Sequence, residues 1–138
     1  LNTAEEVLQT DYYNQNQVAL IKAVALYITE YLTIHHTIEQ LSQKFKISTT
    51  ALKKCFRGVY GTSVYSYLRT YRLQVAQKLL LETALSVTEI ASKIGYENPN
   101  KFTSAFKEMY GSSPTEYRKS VRLDRNGPYG VAKKSELY

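Results

Sequence analysis

The chain has 138 residues and 43% hydrophobic residues, which is enough for one domain with a real core. We expect no signal peptide and no membrane-spanning segment, since no apolar run approaches the ~18 residues that span a bilayer, and the single Cys excludes an internal disulfide framework. The net charge of +6 is uneven: the segment from Gln40 to Leu81 holds eight bases and no acid, which indicates either a polyanionic partner or a solvated basic face without one.

The first predicted elements are a linker and two helices. Residues 1–16 are polar and have the character of a linker segment. Apolar residues then recur at intervals of three and four and predict a helix to about Thr33. A capping box of Thr37 and Gln40 predicts a second helix from Ile38. The apolar positions of the first helix are Val18, Ile21, Ala25, Ile28 and Leu32.

A turn and a third helix complete the first predicted subdomain, residues 17–62. Lys46 and Ile47 make the turn, and Ser48 caps the next helix. That helix ends at Gly61, because glycine adopts the left-handed backbone of a helix stop. The residues predicted to be buried in this helix pair are Ile38, Leu41, Phe45, Leu52, Cys55, Phe56 and Val59.

A long helix, the linker of residues 63–83, is predicted next. Ser63 caps it, and its apolar period continues to about Glu82. Its predicted inner face comprises Val64, Tyr67, Leu68, Tyr71, Val75, Leu79 and Leu80.

A second helix pair follows the linker. Ser86 and Glu89 form a second capping box, for a helix that ends at Gly95. Proline is tolerated in the first helical turn, so Pro99 starts the next helix, which runs to Met109. The residues predicted to be buried here are Val87, Ile90, Ala91, Ile94, Phe102, Ala105, Phe106 and Met109.

A third capping box, Ser113 with Glu116, opens a short helix to about Val121 and completes a second subdomain, residues 84–121. Residues 122–138 are predicted to be a flexible tail, with an arm laid on a neighbour as the alternative. No segment alternates as a strand does. The predicted fold is therefore all-α, with seven helices forming two helix-turn-helix subdomains joined by a long central helix.

The two helix pairs repeat each other. The residues that recur 49 positions later are Thr37, Leu41 and Phe45, as Ser86, Ile90 and Ile94; those that recur 50 positions later are Leu52, Phe56, Tyr60, Gly61 and Ser63, as Phe102, Phe106, Tyr110, Gly111 and Ser113. The second copy thus has one extra residue in its turn.

Two similar surfaces suit a repeating target such as duplex DNA. A linker helix of about 30 Å is close to one DNA turn of ~34 Å, so we expect both copies to enter successive major grooves.

In a helix-turn-helix, the outward face of the second helix reads bases in the major groove. Lys suits guanine and Asn suits adenine, while rim lysines contact phosphates. The predicted outward residues are Thr50, Lys53, Lys54 and Arg57 in the first copy and Asn100, Thr103, Ser104 and Lys107 in the second. The predicted phosphate contacts are Lys44, Lys46, Lys101 and Lys107.

Residues 17 to about 120 resemble the DNA-binding domain of AraC/XylS-type bacterial transcription regulators. The matching segments are TIEQLSQKFKIS, LKKCFR, GTSVYSYL, RLQVAQKLL, SVTEIASKIGYENPNKFTSAFK and GSSPTEYR. The resemblance implies binding to double-stranded promoter DNA as an activator or repressor, with a structural role for Arg72 in pairing with a carboxylate between the modules. The base contacts it implies are Thr50, Lys53, Lys54, Pro99, Asn100, Thr103 and Ser104. Ser104 stands where arginine is common in the family, which removes a strong base contact.

The single Cys predicts a cytoplasmic setting, and we expect association with the nucleoid. Since the chain starts at Leu1 rather than Met, we expect it to be the DNA-binding portion of a longer protein with an upstream sensing domain. No cofactor, metal, membrane or small-molecule ligand is expected within this segment. An enzyme would need a nucleophile–base pair, a metal motif or a phosphate loop, and the sequence has none. The alternative function is a helical interaction module that contacts RNA polymerase or another regulator; it requires exposed apolar grooves.

Overall fold

The computed structural model describes residues 14–125, with side chains over residues 14–122. Within that range the backbone forms seven helices and no strand, as predicted. The helices are α1 (Gln15–Glu30), α2 (Ile38–Phe45), α3 (Thr49–Tyr60), α4 (Val64–Glu82), α5 (Val87–Lys93), α6 (Pro99–Tyr110) and α7 (Pro114–Arg125). Two compact units divide between Arg72 and Leu73, within α4. In the described part of the chain, every helix is too short or too polar to span a membrane.

The three predicted capping boxes are confirmed. Thr37 Oγ1 accepts from the Gln40 amide, and Gln40 Oε1 accepts from the Thr37 amide, both at 3.0 Å. Ser86 and Glu89 make the same two hydrogen bonds at 3.1 Å. Ser113 and Glu116 make them at 3.2 and 3.3 Å. The Ser86 amide that donates to the Glu89 carboxylate lowers the pKa of that carboxyl group. Each box satisfies two backbone donors that the first helical turn leaves unpaired.

Three predicted helix ends are corrected. The first helix begins at Gln15, because Asn14 and Gln17 form a further capping box. It ends at Glu30 rather than Thr33, because the next residue has left the helical backbone, with φ −113° and ψ 61°. The last helix continues to Arg125 rather than Val121, since the helix-breaking Gly127 and Pro128 come only later. The predicted linker up to residue 13, and the tail from residue 126, lie outside the described residues.

The core of the first unit joins α1, α2, α3 and the start of α4. Its buried residues are Ile21, Val24, Ala25, Ile28, Leu41, Leu52, Cys55, Phe56, Val64 and Leu68. The predicted core residues Ile38, Phe45 and Val59 are only half-buried and pack against this cluster. Ile38 and Phe45 lie at its edge because α2 is short and fully buries Leu41 alone. Burial raises the pKa of the Cys55 thiol, which agrees with a packing role rather than a reactive one.

The core of the second unit is built from the rest of α4 with α5 and α6. Its buried residues are Leu73, Ala76, Leu80, Ile90, Ala91, Ile94, Phe102, Ala105 and Phe106. The prediction of one inner stripe along α4 is wrong at Tyr71, which is half-buried and belongs to neither cluster, whereas Val75 and Leu79 are half-buried and pack against the core of the second unit. Leu73 and Ala76 take the buried positions, because each half of α4 packs against a different core and the apolar period breaks between them. Met109 is also wrong as a core residue, being 38% exposed.

A trio of aromatic rings recurs in the two units. Phe56 lies 4.9 Å from Tyr60 and 5.4 Å from Tyr67, measured between ring centroids. Phe106 lies 4.5 Å from Tyr110 and 5.4 Å from Tyr117. All three positions keep the 50-residue offset. The repeat therefore extends beyond the helix pair into the first turn of the next helix, and in each unit the rings pack that helix onto the preceding one.

One arginine in each unit binds the carboxyl end of an earlier helix. Arg72 Nη2 donates to the Leu32 carbonyl at 2.9 Å, just after α1. Arg118 donates to the carbonyls of Leu80 at 3.1 Å, Leu85 at 2.6 Å and Thr83 at 3.3 Å. The last carbonyls of a helix lack partners within it and carry partial negative charge, so a guanidinium is well suited to them. Arg72 thus has a structural contact within its own unit.

Arg118→Ala is expected to lower the free energy of unfolding by about 1–2 kcal/mol. Three charge-assisted hydrogen bonds are lost, but the site is only partly buried, so water replaces part of them. Thermal unfolding followed by circular dichroism measures the change. Arg122→Ala, which removes an exposed arginine from the same helix, is the matched control and is expected to be neutral. Equal stability of the two variants would contradict this role for Arg118.

Candidate nucleic-acid interface

The first helix-turn-helix is formed by α2, a short turn and α3. Lys46 ends α2 with a left-handed backbone, φ 52° and ψ 48°, and its amide donates to the Ser42 carbonyl. The Ile47 amide donates to that same carbonyl at 3.1 Å. Ser48 then caps α3, its Oγ accepting from the Ala51 amide at 3.1 Å. The turn and cap set where α3 begins, and so decide which of its residues face outward.

The outward face of α3 carries all four predicted base-contacting residues of the first copy. Leu52, Cys55 and Phe56 are buried on the opposite side. The exposed residues are Thr50, Lys53, Lys54 and Arg57. Spacings of three and four residues bring these onto one side of a helix. That side presents three cations and a hydroxyl, which suit phosphate oxygens and the acceptor atoms of guanine.

The outward face of α6 is more polar than charged. Asn98 caps this helix, its Oδ1 accepting from the Asn100 amide at 2.9 Å. Phe102, Ala105 and Phe106 are buried. Of the predicted residues, those that are exposed are Asn100, Ser104 and Lys107, and those that are half-buried are Pro99 and Thr103. The Asn100 side chain remains available at the surface, where an amide suits adenine.

The four predicted phosphate-contacting lysines, Lys44, Lys46, Lys101 and Lys107, are all exposed. Lys44 differs from the others, because its Nζ lies 4.5 Å from the centroid of the Tyr27 ring, a cation–π contact. The second unit also has the exposed acids Glu97 and Glu108 beside or within α6. The first helix-turn-helix is therefore the more cationic of the two.

One α2 residue that bonds to the turn was not predicted from the sequence. Ser42 Oγ donates to the Ile47 carbonyl at 2.5 Å and closes the turn with a side-chain bond. The signal available in the sequence was its repeat counterpart, Ala91, which has no hydroxyl group. Only the first copy therefore has a side chain at this position that can hydrogen-bond to the turn.

His35 and His36 lie in the loop between α1 and α2. The His36 ring lies 4.8 Å from the Tyr27 ring, and burial, with a smaller effect from Arg72, lowers the pKa of His36. Among the residues that the structure describes, no group of three His, Cys, Asp or Glu side chains is placed to hold a metal ion. The contacts of His36 are those of a packing residue.

Comparison with known proteins finds helix-turn-helix regulators. A family model described as a helix-turn-helix domain matches residues 41–120. The xylose operon regulatory protein of Escherichia coli K12 is 32% identical over 109 residues, which are 79% of this chain and 28% of that protein. The chain thus spans less than a third of that relative.

Two solved structures have a similar fold. The DNA-binding domain of AdpA, a global transcriptional factor solved in complex with a target DNA, aligns with a TM-score of 0.72 and 29% identity, over 77% of this chain and 96% of that chain. The C-terminal domain of AraT, a response regulator from Geobacillus stearothermophilus, aligns with a TM-score of 0.69 and 29% identity, over 73% of this chain and 84% of that chain.

Proposed function

This chain belongs to the AraC/XylS family of helix-turn-helix transcription regulators, and from that premise we propose that its two helix-turn-helix motifs bind double-stranded promoter DNA in a sequence-specific manner. The observation that carries the proposal is the outward face of α3. It has three exposed cations on the side opposite the buried Leu52 and Phe56. A helix held in this way by a preceding helix and turn suits insertion into the major groove.

We assign base reading to the outward faces of α3 and α6. Lys53 and Lys54 donate to guanine, and Asn100 pairs with adenine through its amide. The other base contacts we propose are Thr50, Arg57, Pro99, Thr103 and Ser104. The two faces differ in charge, so the first helix-turn-helix supplies more of the electrostatic affinity and the second more of the sequence discrimination.

Phosphate contacts fix the position of each motif on the duplex without reading its sequence. We assign this role to Lys44, Lys46, Lys101 and Lys107, which are exposed on or beside the two helix pairs. Each subdomain, 17–62 and 84–121, then binds one half of a two-part site.

The proposed biological role is regulation of transcription, without catalysis. Binding to a bacterial promoter places the protein in the cytoplasm on the nucleoid, and places RNA polymerase within its reach. The signal and its sensing domain belong to the rest of a longer regulator. The interaction-module alternative has little support from the outward face of α3, because that face carries cations and a hydroxyl instead of an apolar groove.

Selection of bound sequences from a random duplex library tests the proposal. We expect a motif of two unequal halves about ten base pairs apart, because one helical turn separates successive major grooves. Fluorescence anisotropy with a selected duplex should then show affinity that falls steeply with salt, in proportion to the number of phosphates neutralised. Recovery of no motif, with affinity that changes little with salt, would rule out this function.

A further inference from the structure

The turn of the first helix-turn-helix holds a lysine where glycine is favoured. Lys46 is the one non-glycine residue with positive φ in the described part of the chain. Its counterpart 49 residues later is Gly95, with φ 95°. A side chain makes the left-handed backbone unfavourable, so glycine is the more stable choice at both turns. Gly95 is buried, whereas Lys46 is exposed and presents its ammonium group to the solvent.

A side-chain hydrogen bond holds this unfavourable turn in place. Ser42 Oγ donates to the Ile47 carbonyl at 2.5 Å, in addition to the bonds that the Ser42 carbonyl accepts. In the second copy Ala91 replaces the serine. The Ala91 carbonyl still accepts from the Tyr96 amide at 2.8 Å, but the alanine side chain has no hydroxyl group that could donate to the turn. The extra bond therefore occurs only in the turn that carries the strained lysine.

We propose that Ser42 is a positioning residue for DNA binding, whose hydroxyl bond to Ile47 holds the turn in the left-handed form that directs the Lys46 ammonium group to the phosphate backbone. Unfavourable backbone conformations persist where the surrounding contacts determine them, and they concentrate at functional sites. Lys46 stands two residues before Ser48, the cap of α3, so its charge lies beside the amino end of the helix that enters the groove. This inference rests on the proposed function.

Two substitutions at Lys46 separate charge from backbone strain. Lys46→Gly relieves the strain and removes the charge; we expect Tm to rise by about 3–6 °C and affinity for a selected duplex to fall by about 3–10-fold at low salt. The slope of log affinity against log salt should become shallower by about one. Lys46→Gln removes the charge and keeps the strain, so its affinity and salt slope should fall as in Lys46→Gly, while its Tm should match that of the natural chain.

Ser42→Ala tests the positioning role through its dependence on Lys46. In the natural chain it should lower affinity by about 3-fold and make the salt slope shallower, since Lys46 is no longer held toward the phosphate. In the Lys46→Gly background it should leave affinity unchanged, because no side chain remains to be positioned. This non-additivity is what a double-mutant cycle measures. A purely structural serine would lower Tm and leave the salt slope as it is in both backgrounds.

The outcomes distinguish this inference from the function on which it rests. If the natural 138-residue chain binds no selected duplex in a salt-dependent manner, the proposed function fails and this inference fails with it. If the natural chain binds but Lys46→Gly binds equally well with the same slope, the inference and the phosphate contact assigned to Lys46 are both overturned, while DNA binding by the two motifs stands. Since Lys46→Gly is expected to be the more stable protein, loss of folding does not obscure that comparison, even if Ser42→Ala proves unstable.

Discussion

Phe56→Ala is expected to lower the free energy of unfolding by about 3–5 kcal/mol. The side chain is fully buried, and its ring lies against those of Tyr60 and Tyr67 at centroid distances of 4.9 and 5.4 Å. Truncation leaves a cavity in a core that three helices and the start of α4 surround, and aromatic contacts are lost with it. Phe56 is one of the buried residues of α3, so its truncation would also weaken the packing that orients the outward face of that helix.

Phe106→Ala is the matched variant in the second unit, with the same expected loss. It removes the ring that packs on Tyr110 and Tyr117 at 4.5 and 5.4 Å. Urea unfolding followed by circular dichroism measures both variants. Tyr65→Ala is the control, since Tyr65 is 73% exposed and should be near neutral. A near-neutral result at either phenylalanine would contradict the core assigned to that unit.

Replacement of Lys53 and Lys54 together by alanine should weaken binding to a selected duplex by about 10–100-fold at low salt, since each side chain contributes charge or a base contact. Both residues are exposed and lie outside the two cores. We therefore expect Tm to stay within about 2 °C of the natural value. Anisotropy titrations at several salt concentrations, paired with thermal unfolding, measure the two effects separately.

Lys22→Ala is the control for charge alone. Lys22 is exposed on α1, outside the helix-turn-helix, so its loss should change affinity far less. An equal loss of affinity in the control and in the double variant would mean that net charge, rather than the face of α3, determines binding. Unfolding of the double variant would mean that the helix faces the other way.

The helix boundaries were predictable wherever a local signal defines them. Thr37, Ser86 and Ser113 begin helices as predicted because each capping box closes within four residues. Gly61 ends α3 with φ 73° because glycine meets no penalty there. The exposed faces of α3 and α6 followed from the same local period, since Leu52 and Phe102 fix the inward side of each helix.

The predictions that were wrong or absent concern packing between segments that are distant in the sequence. An apolar stripe through Val64, Tyr71 and Leu79 fits one helix period, and nothing local shows that the two halves of α4 serve different cores. Met109 has the spacing of a core residue in α6, yet it remains 38% exposed. The contact between Arg118 and the carbonyl of Leu80, 38 residues earlier in the chain, is of the same kind.

By itself the sequence determined the all-α class, the repeat, the helix starts and the outward residues of α3 and α6, because caps and periodicity act over three to seven residues. The tertiary structure alone decided the shift of the buried face within α4, the partners of Arg72 and Arg118, and the hydrogen bond from Ser42 to the turn at Lys46 and Ile47. These depend on which segments meet in space or on the backbone angle at a turn, and a repeating pattern of residue types does not encode either.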